Sequence, residues 1–227
     1  MSLLPTIEIQ TQDPTASPSA SIIVLHGLGA DGHDFVPFAH ELELHSLGPV
    51  RFIFPHAPEQ PVSINGGYIM RAWYDIRSAD LSSREDEAGL RVSQEALSAL
   101  IQREHERGIP ASKIVLAGFS QGCAMTLMTG LRYPERLAGL AGLSGYIPLA
   151  ETTAQERHPA NQETPIFLAH GRQDSVVPFH RGQASRDLLM QLGYCVQWHD
   201  YPMQHSVCQQ EVQDFNRWLL HVLTHSD

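Results

Sequence analysis

The sequence predicts an α/β fold, a mostly parallel central sheet with helices packed on both faces. Three observations carry that expectation. From Ser21 onward, apolar bursts of strand length alternate with segments of helical periodicity. The bursts are apolar at successive positions, as strands covered on both faces are, without the polar alternation of a half-wet sheet. A chain of 227 residues favours one large domain, taken as 1–227, that buries a sizeable core without disulfides or metal.

The elements follow in order. Thr11 to Ala20, with two prolines and small polar residues, reads as a loose tether too near the N-terminus to separate domains. Ser21 to His26 (SIIVLH) is a continuous apolar strand. Asp34 is placed to cap a helix in which Phe35, Phe38, Ala39 and Leu42 recur at i, i+3, i+4 and i+7. Val50 to Phe54 is the next strand, ended by Pro55. Pro55 to Ser83 is rich in Pro, Gly and aromatic residues and shows no clear element. Its length and its Ile69, Met70, Trp73 and Tyr74 predict a functional flap. Glu85 to Arg107 is helical, and Gly108-Ile109-Pro110 stops it. Lys113 to Gly118 (strand), Gln121 to Tyr133 (helix) and Leu137 to Ser144 (strand) come next. Pro165 to His170 (strand), Arg181 to Leu192 with Gly193 past its end (helix) and Cys195 to Tyr201 (strand) repeat the pattern. Val207 to Leu223 closes the chain as an amphipathic helix with Val212, Phe215, Leu219 and Val222 on one stripe.

Charge and cysteine usage exclude several function classes. The net charge is −10, the 15 basic residues include one lysine, Lys113, and no basic cluster occurs. The electrostatic footprint for nucleic acid is therefore missing, as is a cationic amphipathic helix for anionic membranes. The longest apolar-looking run, Leu137 to Leu143, is too short to span a bilayer, and Met1 to Asp13 does not read as a signal peptide. Cys123, Cys195 and Cys208 form no C-x-x-C, and their odd number excludes a fully paired framework. The expected location is the cytoplasm.

An open α/β sheet places its chemistry in loops at the carboxyl ends of strands. Gly118-Phe119-Ser120-Gln121-Gly122 lies between an expected strand and an expected helix, the context of a G-x-S-x-G nucleophile elbow. A serine hydroxyl needs a base, and the base needs an orienting acid. In this architecture the acid and then the histidine follow the serine along the chain. Asp174 stands just past the strand Pro165 to His170, and His205 just past Cys195 to Tyr201. Two rival bases fit less well: His199 lies inside a strand and His180 opens a helix near solvent. The candidate triad is Ser120, Asp174 and His205.

Acyl transfer also needs donors for the oxyanion. The Gln121 N–H at the helix start supplies one. The Leu28 N–H of His26-Gly27-Leu28-Gly29, a glycine-rich loop after a neighbouring strand, supplies the other. His26, His33, Asp31 and Asp34 show no metal-ligand spacing, so neither metal nor cofactor is expected. Cys123, one turn into the elbow helix, reads as a small buried apolar residue.

These residues resemble a known family, the acyl-protein thioesterases and small bacterial carboxylesterases of the phospholipase/carboxylesterase group, within the α/β-hydrolase superfamily. HGLGADGHDF from His26, FPHAP from Phe54, WYDI from Trp73 and KIVLAGFSQG ending at Gly122 carry the resemblance. LSGYIPL from Leu143, HGRQDSVVP from His170 and HSVCQQE from His205 continue it. It implies an α/β-hydrolase sheet of about seven strands, the same triad, and Leu28 with Gln121 as the oxyanion hole. It also makes 55–83 an active-site flap bordering an apolar acyl channel, with Ile69, Met70 and Trp73 as candidate substrate contacts. The competing reading is that Trp73 and its neighbours only pack the flap onto the domain. Two positions depart from the family pattern: Gln204 stands where a small residue is common, and Cys123 where Gly or Ala is.

The expected activity is hydrolysis of carboxylic esters or thioesters of aliphatic acyl chains through an acyl-serine, as in a carboxylesterase, thioesterase or lysophospholipase. Substrates would be lipid-like acyl esters or acylated protein, and the chain a monomer or homodimer. The alternatives are a non-catalytic binding protein on the same fold and an acyltransferase using the same triad.

Overall fold

The six apolar bursts form strands, and the structure, a computed structural model describing residues 3–78 and 85–225, joins them with a seventh strand in one sheet. The first half of the chain runs β1 (Thr6–Gln10), β2 (Ala20–Leu25), α1 (Val36–His40), β3 (Val50–Pro55), β4 (Glu59–Val62), β5 (Tyr68–Arg71) and α2 (Glu87–Glu106). The second half runs β6 (Ile114–Phe119), α3 (Gln121–Gly130), β7 (Gly139–Leu143), α4 (Ala150–Glu156), β8 (Ile166–Gly171), α5 (Phe179–Gln191), β9 (Val196–Tyr201) and α6 (Gln209–Thr224). The sheet order is β1-β3-β2-β6-β7-β8-β9. Every neighbouring pair is parallel except β1 with β3.

The two-residue period of a strand sorts the core into two layers. Ile23, Leu25, Ile114, Leu116, Ile166 and Leu168 face the layer completed by Leu90, Leu97 and Leu100 of α2 and by α3. Ile22, Val24, Val115, Ala117, Phe167 and Ala169 face the opposite layer, where Phe215, Trp218 and Leu219 of α6 and Phe38 of α1 close over them. Both faces of the central strands β2, β6, β7 and β8 are buried, which is why those strands carry no polar alternation. The chemistry-bearing loops after β6, β8 and β9 consequently emerge together at one end.

Several elements differ from the sequence expectation. Thr6–Gln10 is an edge strand that the polar–apolar alternation of TIEIQ did not reveal over so short a run. Thr11 to Ala20 is a fastened connection. Gln10 Nε2 donates to the Asp13 and Ala16 carbonyls at 2.7 and 2.9 Å, and Ser19 N–H donates to Pro49 O at 2.8 Å. The helix expected after Asp34 is only Val36–His40, with Phe35 at its N-cap position and no side-chain cap. Asp31, not Asp34, organises the turn before it, accepting the His33 N–H at 2.7 Å.

The segment expected to be irregular holds a β-hairpin. β4 and β5 pair antiparallel in register Val62↔Tyr68, and Gly66 and Gly67 turn the chain at φ 66° and 80°. Neither strand is a simple apolar run, and the pair lies outside the main sheet. Residues 79–83 of the expected flap lie outside the described residues.

Candidate active site

Packing dictates the elbow. β6 must reverse into α3 within a few residues, and a side chain on Gly122 would collide with the Leu25 carbonyl of the adjacent strand. One on Gly118 would collide with the Gly122 backbone. Between them Ser120 takes φ 56°, ψ −117°, a conformation unusual for a residue with a Cβ. The Ser120 N–H donates to Leu143 O at 2.9 Å, which holds the strained residue against β7.

Ser120, His205 and Asp174 come together from three different strand ends. The Ser120 hydroxyl donates to His205 Nε2 at 2.9 Å, and His205 Nδ1–H donates to Asp174 Oδ2 at 2.7 Å. The carboxylate acceptor fixes the hydrogen on Nδ1 and leaves Nε2 free to take the serine proton. Asp174 is buried, and its other oxygen accepts the Val176 and Val177 N–H groups at 2.8 and 2.9 Å. Such an acid is both aimed and kept from rotating.

The rival histidines point elsewhere. His199 Nδ1 lies 3.5 Å from Asp214 Oδ2 on α6, and His180 is exposed. Gln204 is exposed as well, so its longer side chain is accommodated by solvent. Cys123 is buried, and its sulfur fills the space beside Gly142 and Gly145. Burial pushes its thiol up to about 12, so the reactive thiolate is absent at neutral pH.

Leu28 occupies the second position of a turn closed by Ala30 N–H to Gly27 O at 3.3 Å, and Gln121 opens α3. Among the described residues, neither backbone N–H has a protein acceptor. Both residues line a cavity of about 310 Å³ together with Ser120. The His26 ring stabilises the loop from behind. Its Nδ1–H donates to Gly27 O at 2.7 Å and its Nε2 accepts Ala57 N–H at 3.1 Å. Burial holds that imidazole below its ordinary pKa, and therefore neutral.

The remaining cavity wall is mostly apolar: Ile64, Tyr74 and Ile76 from the flap segment, Tyr146, and Val176 with Pro178 from the loop after β8, with Asn65 and Ser175 as its polar members. Tyr74 and Tyr146 share a hydroxyl–hydroxyl hydrogen bond of 2.8 Å at its edge. None of the three expected substrate contacts is part of this wall. Trp73 is buried, its indole N–H donating to His26 O at 2.9 Å and its backbone N–H to Gln121 Oε1 at 2.8 Å. Its buried ring packs the flap against the His26 loop and lies outside the cavity wall. Ile69 is largely exposed on the hairpin, and Met70 packs its sulfur near Gly29. Sequence reasoning missed Ile76, Tyr146, Val176 and Pro178. Only the apolar character of SVVP, beside an acid already singled out, signalled the last two. His205 also borders a second, more open cavity of about 470 Å³ walled by Phe35, Phe38, Phe119 and Val212.

Residues 7–223 match the family described as phospholipase/carboxylesterase. An acyl-protein thioesterase 1 of Yarrowia lipolytica is 42% identical over 209 residues, covering 90% of this chain and 92% of that protein. One of Neurospora crassa is 43% identical over 212 residues, covering 88% and 86%. Among solved structures, Arabidopsis thaliana SOBER1 superposes with a TM-score of 0.85 at 31% identity, over 90% of this chain and 99% of that one. Zea mays acyl-protein thioesterase 2 gives 0.82 at 30% identity, over 96% and 99%. Bacillus cereus carboxylesterase shares the fold, with a TM-score of 0.74 at 18% identity over 96% and 94%.

Proposed function

Because the chain belongs to the phospholipase/carboxylesterase family and is a hydrolase of esters or thioesters, we propose that Ser120 is its nucleophile, His205 its base and Asp174 its orienting acid. The observation that carries this reading is the unbroken relay from Asp174 through His205 to Ser120, at 2.7 and 2.9 Å. His205 Nε2 takes the Ser120 proton as Oγ attacks the acyl carbon. The Leu28 and Gln121 N–H groups receive the negative charge that develops on the acyl oxygen. His205 then protonates the departing alcohol or thiol, whose remainder leaves toward the open cavity on that side. Water repeats the sequence on the acyl-serine.

The acyl chain lies in the apolar cavity between the flap and the Val176–Pro178 loop, with the described part of 55–83 serving as one wall. Ile69 and Met70 contribute only outer contacts. The names of the relatives point to acylated protein as the substrate class, and aliphatic lipid esters fit the same wall. No described helix is long and apolar enough to cross a membrane. Three unpaired cysteines fit work in the reducing cytoplasm.

A fluorophosphonate probe tests the assignment. It should label the wild-type chain on Ser120, and the Ser120→Ala chain not at all. Wild-type labelling of Ser120→Ala would overturn it. A panel of acyl esters and thioesters of increasing length, run with and without an added alcohol, then separates thioesterase, esterase and transferase.

A further inference from the structure

A second histidine stands against the carboxylate of Asp174. His170 sits near the end of β8, almost fully buried, and the relay from Asp174 to Ser120 makes no use of it. Its Nε2 lies 2.9 Å from the Val177 carbonyl and 3.4 Å from Asp174 Oδ2, the oxygen that also receives His205 Nδ1–H at 2.7 Å. A carbonyl only accepts, so the hydrogen of His170 is on Nε2. That one N–H reaches the carbonyl at normal hydrogen-bond length and leans on the carboxylate at a longer distance.

The surroundings leave the ring nowhere else to go. Its other edge abuts Gly182 of α5, where a Cβ would collide with Nδ1, and Phe179 meets it edge-on with ring centroids 5.9 Å apart. Burial holds the imidazole below its ordinary pKa, which keeps it neutral beside a carboxylate whose charge then acts on His205. The turn after β8 is thus tied at both ends. Asp174 Oδ1 holds the Val176 and Val177 N–H groups, while His170 holds the Val177 carbonyl.

We propose that His170 is a positioning residue for the reaction: its Nε2–H clamps the 174–177 turn and steadies Asp174 Oδ2 in line with His205 Nδ1. The clamp rests on the triad reading above and acts only through it. Misplacing a reacting group by an ångström costs up to about 100-fold in rate, so a donor that fixes the acid can matter without touching substrate.

The test compares His170→Gln with His170→Asn. The amide nitrogen of Gln reaches near the position of the imidazole Nε2 and restores a donor, whereas that of Asn stops near Nδ1. Each variant is measured for kcat and KM on one short neutral ester. The low-field proton resonance of His205 Nδ1–H bonded to Asp174 and the melting temperature are followed alongside. His170→Asn should lose about tenfold or more in kcat with KM nearly unchanged, and its low-field resonance should move or broaden. His170→Gln should recover most of both. A folded His170→Asn with wild-type kcat and resonance overturns the proposal, and so does a His170→Gln as impaired as His170→Asn. If His170→Asn does not fold, Gly182→Ala decides, because it keeps the imidazole but displaces the ring, and its Nε2–H with it. Lower kcat at constant KM then supports the clamp, and wild-type kcat overturns it. Ser120→Ala and His205→Ala are run beside them. Full turnover in those chains would sink the triad itself. Their inactivity beside a wild-type His170→Asn would sink only the clamp.

Discussion

The indole N–H of Trp73 and the carbonyl of His26 are joined at 2.9 Å, and the backbone N–H of the same tryptophan meets the Gln121 side chain at 2.8 Å. Gln121 answers with its own amide, donating to Tyr74 O at 2.7 Å. One buried flap residue thereby latches the loop that carries Leu28 to the helix start that carries Gln121, the two donors proposed for the oxyanion. The two N–H groups keep their spacing because Trp73 bridges the elements bearing them.

Trp73→Phe removes that donor and leaves His26 O without it, at a cost of about 1–3 kcal/mol for a buried unsatisfied group. The melting temperature should fall. Rates should drop for short and long acyl esters in the same proportion, since the change acts on the oxyanion site. A selective loss on long esters would instead mean that the ring contacts the acyl chain.

Ser120→Ala should leave at most the roughly 10³–10⁴-fold acceleration over water that binding and oxyanion donors provide without a nucleophile. Cys123→Ala should retain turnover, because the thiol is pushed up to about 12 and is not ionised at neutral pH. Its cost should appear as a lower melting temperature from the space opened beside Gly142 and Gly145. Steady-state kinetics and thermal melts on the two proteins check both statements.

Lengthening the acyl chain should raise kcat/KM about fourfold per methylene, from about 0.8 kcal/mol per buried CH₂, until the cavity is filled. Val176→Ser and Ile76→Ser, both in the cavity wall, should flatten that slope. Ile69→Ser with Met70→Ser should change it less. The reverse order, measured on esters of graded length, would return the acyl contact to the hairpin.

Glu211, in the first turn of α6, is fully buried, and among the described residues neither carboxyl oxygen has a hydrogen bond of good geometry. Burial pushes it up to about 8, outweighing the nearby Cys208 N–H, with the negative charge of Asp214 adding to the rise. Its folded pKa is above the unfolded value of 4.5, so its contribution to stability is full below that value. That contribution is lost as pH rises toward about 8. Glu211→Gln cannot ionise. Its melting temperature relative to wild type should rise across this interval and level off above it. A pH-independent difference would show that the carboxyl titrates normally.

The sheet and the three strand-end junctions were legible because each rests on a strong local signal. SIIVLH, KIVLAG and PIFLAH are apolar at nearly every position, and glycines flank Ser120 where a Cβ cannot fit. β1, the β4–β5 hairpin and α4 were not legible. They are short: β1 depends on pairing with the distant β3, and the hairpin strands EQPV and YIMR carry no clean apolar pattern. TIEIQ becomes a strand by antiparallel pairing with β3, and AETTAQE presents only Thr153 as a buried side chain. Trp73 illustrates the same limit at the site. Composition marked it as apolar and out of place in a solvated loop, but its partners, His26 O and Gln121 Oε1, lie 47 and 48 residues away in the chain. No local pattern encodes such a contact.

His205 is 85 residues from Ser120 and 31 from Asp174, and it arrives on the loop after β9, the final strand and an edge of the sheet. A folding intermediate with β2, β6, β7 and β8 already paired would hold a formed elbow and a placed carboxylate, yet no base. Parallel pairing between segments remote in sequence is slow, because loop closure must be completed before the contact is rewarded. Recovery of activity during refolding would thus require both the distant β2–β6 pairing that sets the elbow beside β2 and the docking of β9 that brings His205. Esterase turnover would serve as a kinetic clock for the slower of those two events.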